Sequence, residues 1–168
     1  MTIGDTAATF GLALLYQNKG STYDLDQSIN FFTEAANKGL AVAQHNLATF
    51  LFNPNDGPAS LKKAKDGNKL DSWSSRFSIW KAVEYYKMAA TQGFYQSQVN
   101  LCKIYMTGYS RGREHVEVNL TEAGKWLQAA EVTVGKDHPD IVALKREFLE
   151  QTRESANQKV EGNGCVIT

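Results

Sequence analysis

A cysteine followed by two β-branched aliphatics and a small residue, Cys165-Val166-Ile167-Thr168, ends the sequence, and this spacing suits thioether formation by a prenyltransferase. Such an enzyme holds the thiol as a thiolate on zinc, packs Val166 and Ile167 in a hydrophobic cleft and reads the last residue in a small pocket. Thr168 is small, so the expected lipid is farnesyl rather than geranylgeranyl. Residues 156–164 ahead of it are polar and contain glycine, as a tail that must reach an enzyme unfolded requires. Cysteine is scarce, two in 168 residues, which argues against a chance occurrence. With Cys165 assigned to lipid, Cys102 is left alone, so no intrachain disulfide is expected and a reducing compartment fits.

The other residues able to do chemistry do not assemble into a reaction. His45, His115 and His138 belong to different predicted elements, without a His-Glu-x-x-His or Cys-x-x-Cys spacing and without a carboxylate at helical ligand spacing, so no metal is expected. Cys102 takes a small position in a predicted helix and reads as a packed thiol. Gly108-Tyr109-Ser110-Arg111-Gly112 follows a helix rather than a strand and lacks the Gly-Lys-Ser/Thr of a phosphate loop. Asp24, Asp26, Glu84 and Glu122 fall at helix starts or solvent faces, where capping explains them better than acid–base work. A non-enzymatic protein with no cofactor besides the covalent lipid is the expectation.

Composition points the same way. The 168 residues are 42% hydrophobic, enough for one domain with a core, and 18 basic residues balance 18 acidic ones. That balance gives no global field for nucleic acid or an anionic membrane. The opening Met1-Thr2-Ile3-Gly4-Asp5 has no basic stretch and the apolar run from Phe10 to Tyr16 has no cleavage site after it, so no signal peptide is expected. Thr2 excludes myristoylation, and no run reaches the 18 or so apolar residues of a membrane span.

The elements that must carry any site repeat along the chain. Gln27 to Gly39 reads QSINFFTEAANKG and Lys81 to Gly93 reads KAVEYYKMAATQG; each is followed by a second helix, Ala43-Gln44-His45-Asn46-Leu47-Ala48 and Ser97-Gln98-Val99-Asn100-Leu101-Cys102. A weaker first helix lies at 122–130, and Leu12 to Tyr16 reads as a second helix without its partner. Leu12 and Leu47 are 35 residues apart, a helix-pair period, and Leu101 follows 54 further on because of an insertion. Ile29 with Phe32, and Val83 with Tyr86, set an i, i+3 apolar stripe on the first helices. The facing stripe comes from Leu47, Phe50 and Leu51, and from Leu101, Ile104 and Tyr105. Ala35-Ala36 and Ala89-Ala90 let neighbouring helices approach closely, and Gly39 and Gly93 stop the first helices where a positive φ is needed.

These segments resemble the Sel-1-like repeat family, short relatives of the tetratricopeptide repeat with a pattern near K-A-x-x-W/Y-Y-x-x-A-A-x-x-G followed by A-Q-x-N-L-G-x-x-Y. The resemblance covers about residues 7 to 131 and is partial in the third repeat, where Gly124 and Glu131 depart from it. It implies an all-α, right-handed α-solenoid of stacked helix pairs. The expected layout is a solenoid over 1–152, with repeats at 7–22 (partial), 25–53, 79–109 and 120–136 (partial), an insertion at 53–78 and a capping helix at 139–152. A flexible tail follows over 153–168, with the prenylation box at 165–168.

Two stretches interrupt the array. The insertion carries Lys62, Lys63, Lys65, Lys69 and Arg76 against Asp56, Asp66 and Asp71, and reads as a solvated loop in preference to a basic membrane flap because the acids interleave. Trp73, Phe77 and Trp80 follow at i, i+4 and i+7 and are expected in the core, with the helix starting early behind Asp71-Ser72. Residues 108–119 read as an enlarged inter-repeat turn. Asp137-His138-Pro139 starts the last helix, whose Ile141, Leu144 and Phe148 cap the stack.

By its resemblance the chain is an adaptor that binds a protein or peptide along exposed first-helix positions: Asn30, Thr33, Asn37, Glu84, Lys87, Thr91 and Gln128. Its farnesylated tail, made by a prenyltransferase and shifted by any prenyl-binding carrier, places that surface reversibly at a membrane from the cytoplasm. Two alternative settings share these features. One is a bacterial effector that borrows a host prenyltransferase to reach host membranes, and the other is a regulatory subunit of a membrane enzyme, like chitin-synthase activators. An unrecognised enzyme and a fragment of a longer repeat protein stand as different readings.

Overall fold

The computed structural model describes residues 3–19, 22–52 and 78–162. They form seven helices and one hairpin: α1 Ile3–Lys19, α2 Thr22–Asn37, α3 Ala41–Phe52, α4 Ile79–Thr91, α5 Tyr95–Thr107, β1 Tyr109–Arg111, β2 Glu114–Val116, α6 Leu120–Val134 and α7 Pro139–Gly162. The chain is an all-α solenoid of helix pairs with almost no sheet. The insertion's residues 53–77 and the box at Cys165 to Thr168 lie outside the described residues.

The two strong repeats are built alike. Gly39 (φ +92°) and Gly93 (φ +81°) end α2 and α4. In each, the glycine N–H donates to the carbonyl three residues back, Ala36 or Ala90, and the next residue, Leu40 or Phe94, donates to Ala35 or Ala89. This is a Schellman closure, and a side chain at either glycine would strain it. The small pairs Ala35-Ala36 and Ala89-Ala90 are buried, and the core runs in three linked clusters. The first gathers Ala13, Ile29, Phe32, Ala36, Leu47 and Phe50. The second gathers Ala48, Ile79, Val83, Tyr86, Ala90, Leu101 and Ile104. In the third, Cys102, Met106, Ala123, Leu127 and Leu144 close the far end.

The capping helix does cover the stack: Ile141 and Leu144 are fully buried. Gly124, out of pattern in the third repeat, makes room for Phe148, whose ring lies 3.4 Å from where a Cβ would be. Glu131, the other departure, pairs with Lys145 at 2.8 Å and ties α6 to α7. Tyr95 does the same for α5, its hydroxyl donating to Asp140 Oδ2 at 2.9 Å.

Four expectations need correction. α7 does not stop near 152 but runs to Gly162, so 153–162 is helix and not flexible tail; its Glu, Gln, Arg, Ala and Lys residues are strong helix formers as well as polar. α4 starts at Ile79, with Ser78 as N-cap accepting from the Lys81 N–H, rather than behind Asp71-Ser72. Trp80 is exposed rather than core, its indole N–H donating to the His115 carbonyl at 3.1 Å.

The fourth is the turn at 108–119, which folds as an antiparallel hairpin pairing Tyr109 with Val116 and Arg111 with Glu114. Gly112 (φ +60°) opens its two-residue turn. The hairpin packs back against the array. Arg111 donates to the carbonyls of Phe52 (2.9 Å) and Leu51 (3.2 Å) at the C-terminus of α3. Glu114 accepts from Ser78 Oγ (2.8 Å) and the Ile79 N–H (2.6 Å) at the N-terminus of α4. Each charge has the sign its helix end favours. The hairpin therefore clamps both helix ends between which residues 53–77 leave and rejoin the array.

Candidate protein-binding surface

The register of the first helices decides what each can present. On α4, with Ala82, Val83, Tyr86, Ala89 and Ala90 buried, the positions between them, Glu84, Lys87, Met88 and Thr91, face outward. On α2 the same logic exposes Asn30 and Asn37 and leaves Thr33 half-buried, and on α6 it exposes Gln128.

Thr91 and Gln128 come together. They line an open groove of about 470 Å³ between α4 and α6, with Trp126, Lys125, Val132 and Thr133. The Trp126 indole N–H is buried here with no acceptor among the described residues. Exposed Met88 and Val132 belong to the same two helices. Asn37 is tied to α4, its Oδ1 accepting from the Tyr85 hydroxyl at 3.2 Å. Lys87 extends over the Tyr105 ring, 5.6 Å from its centroid. The Glu122 carboxyl is held below its usual range by its hydrogen bond from Lys125, with the Lys125 and Lys87 charges adding to it. Asn30, Thr33 and Glu84 do not line this groove.

A second cavity, about 480 Å³, opens on the second-helix side and lay outside the expected site; His45, Thr49, Phe52, Tyr86, Gln96, Asn100, Lys103 and Ile104 line it. His45 Nδ1 is 2.9 Å from Ser97 Oγ, and its ring packs against Tyr86 and Phe94. Burial lowers the His45 pKa from its ordinary 6.5. Ser97, the partner of His45, is fully buried. Cys102 is buried too, and burial, aided by the nearby Glu147 charge, pushes its thiol up to about 12, so at neutral pH it is a packing group.

One recurrent polar device was not anticipated. Gln44 Nε2 donates to the Ala36 carbonyl and Gln98 Nε2 to the Ala90 carbonyl, both at 3.0 Å, closing the end of the preceding first helix. Each amide oxygen then accepts from the next first helix: Gln44 from Gln92 (2.8 Å) and Gln98 from Thr133 (2.9 Å). The glutamines thus fix how far successive first helices stand apart along the first-helix face. The signal was present in the sequence as a glutamine at the same place in both repeats.

Helix pairs stacked in register, with small residues at the contacts and a polar first-helix face left open, define a repeat scaffold of the kind that binds other proteins. The Sel1 repeat model matches residues 6–40, 41–66, 81–94 and 96–130, well over half of the sequence, and the chain belongs to the Sel1 repeat family. Three of the four matched units, 6–40, 41–66 and 96–130, start on second helices, half a repeat out of phase with the 25–53 and 79–109 units read from the sequence, and the fourth covers α4. No curated protein matches the chain. Sel1 repeats generally form non-enzymatic scaffolds that bind protein partners. Among the described residues no helix is long and apolar enough to cross a membrane, and no cluster of His, Cys, Asp or Glu could hold a metal ion.

Proposed function

We propose that this Sel1 repeat protein is an adaptor that binds an extended peptide or a helix of a partner protein along the first-helix face, and that a farnesyl group on Cys165 tethers it reversibly to membranes. The observation that carries the binding half is the groove in which Thr91 and Gln128 meet beside Trp126. Its apolar floor and ring of amides and hydroxyls suit a backbone with small side chains. Double substitution Thr91→Arg, Gln128→Arg should abolish capture of a defined partner from eukaryotic lysate while leaving the melting temperature unchanged. Retained capture would move the interface elsewhere.

The tether rests on Cys165-Val166-Ile167-Thr168 and its residue types. One lipid chain of this size gives marginal partitioning, about 10⁴ M⁻¹ for the comparable myristoyl group, so a mixed cytosolic and membrane distribution follows. Intact mass after expression in eukaryotic cells checks it: a farnesyl adduct that Cys165→Ser removes is the expected result, and an unmodified terminus would end the proposal.

A further inference from the structure

The face of α1 turned away from α2 is apolar and open, and the internal repeat shows what kind of helix fits it. Leu12 and Leu15 of α1 stand in register with Leu47 and Phe50 of α3 and with Leu101 and Ile104 of α5; Ala8 likewise matches Ala43 and Ser97. The burial differs sharply: Leu12 is 41% and Leu15 54% exposed, against 2% and 6% for Leu47 and Phe50 and 0% and 6% for Leu101 and Ile104. The opposite face of α1 behaves normally, since Ala13, like Ala48 and Cys102, is fully buried.

In α3 and α5 these positions are covered by the first helix before them. Leu47 and Phe50 share a cluster with Ile29, Phe32 and Ala36 of α2, and Leu101 and Ile104 share one with Val83, Tyr86 and Ala90 of α4. Over α1 no described helix takes that place. Gly11 lies on this face, and a Cβ built there meets nothing within 4 Å, so the space is clear for a close helix. The face carries no charge at positions 8, 11, 12 and 15.

We infer that this α1 face is a docking site for one helix of a partner protein with the pattern of a repeat first helix: β-branched or aliphatic, then aromatic at i+3, then an Ala-Ala pair, uncharged along that stripe. The recurring α2–α3 and α4–α5 contacts are the template, and the site continues the same interface outward by one helix. Among the described residues a second copy of the chain has no free first helix to offer, because α2, α4 and α6 are already packed. This surface is separate from the groove of the adaptor reading.

The probe is a peptide of the chain's own residues 78–93, the α4 pattern, added in excess to the full-length protein. Hydrogen exchange should slow roughly tenfold at the α1 amides between Ala8 and Leu15. The same peptide with Ala89→Lys and Ala90→Lys should have no effect. Leu12→Ser with Leu15→Ser in the protein should abolish the slowing yet keep the melting temperature, as exposed positions allow. Slowing confined to α5, unchanged α1, a drop in melting temperature like that of Leu47→Ser, or a dimer in sedimentation with α1 already protected would each overturn the inference.

Discussion

Gln98 shows how much a single buried side chain can carry in this array. It is 4% exposed, donates its amide to the Ala90 carbonyl and accepts from the Thr133 hydroxyl, so Gln98→Leu keeps the volume but loses both bonds, while the Gly93 N–H still reaches the Ala90 carbonyl and Thr133 the Ala129 carbonyl. A loss of about 1–3 kcal/mol is expected in denaturant unfolding, and Gln98→Glu should be worse because an acceptor replaces the donor. His45 makes a pH-dependent contribution. Burial lowers its folded pKa below the ordinary 6.5, so the unfolded chain takes up a proton first. The stability tied to neutral His45 is complete above 6.5 and is lost as pH falls through the folded pKa. Melting temperature should therefore drop between neutral pH and pH 5, and His45→Gln should flatten that drop.

At the scale of elements, the helix pairs were legible and the hairpin was not. The pairs announce themselves through a stripe, an Ala-Ala contact and a glycine stop, all short-range signals that occur twice; Ala36, Ala90, Leu47 and Leu101 are buried as their register requires. Ala90→Lys should then cost several kcal/mol, an unpaired charge forced between close helices, whereas Lys87→Ala on the exposed face should cost under about 0.5 kcal/mol. Equal losses in thermal unfolding would mean a wrong register. β1 and β2 are three residues each, too short for alternation to show, and contacts 35 to 60 residues away hold them. The far end of α7 was missed for another reason. Beyond Leu149 it lacks an apolar stripe, and its polar helix formers read equally as tail. Because Glu114 caps α4 across that distance, Glu114→Ala should cost about 1–2 kcal/mol, and Glu114→Gln about half of it.

For the whole molecule, the fold could be read from repeated local chemistry, but the site only in part. Register identified outward-facing residues, and two of the seven, Thr91 and Gln128, share a groove; which exposed residues converge depends on the spacing of successive first helices, set by Gln44 and Gln98 through contacts 48 and 35 residues away. The α1 face was invisible for a similar reason, since Leu12 looks like Leu47 in sequence and differs only in having no described helix over it. The hairpin clamp has an evolutionary consequence. Arg111 and Glu114 hold the end of α3 and the start of α4 in place, so the array no longer relies on residues 53–77 to keep its spacing. Closing a longer connection between fixed ends costs only about 0.6 kcal/mol per doubling of length. That segment is free to be exchanged, lengthened or rewritten with new specificity while the scaffold stands. Replacing 53–77 by a Gly-Ser linker of equal length should shift the melting temperature by no more than a few degrees, and the same replacement with Arg111→Ala and Glu114→Ala should shift it far more.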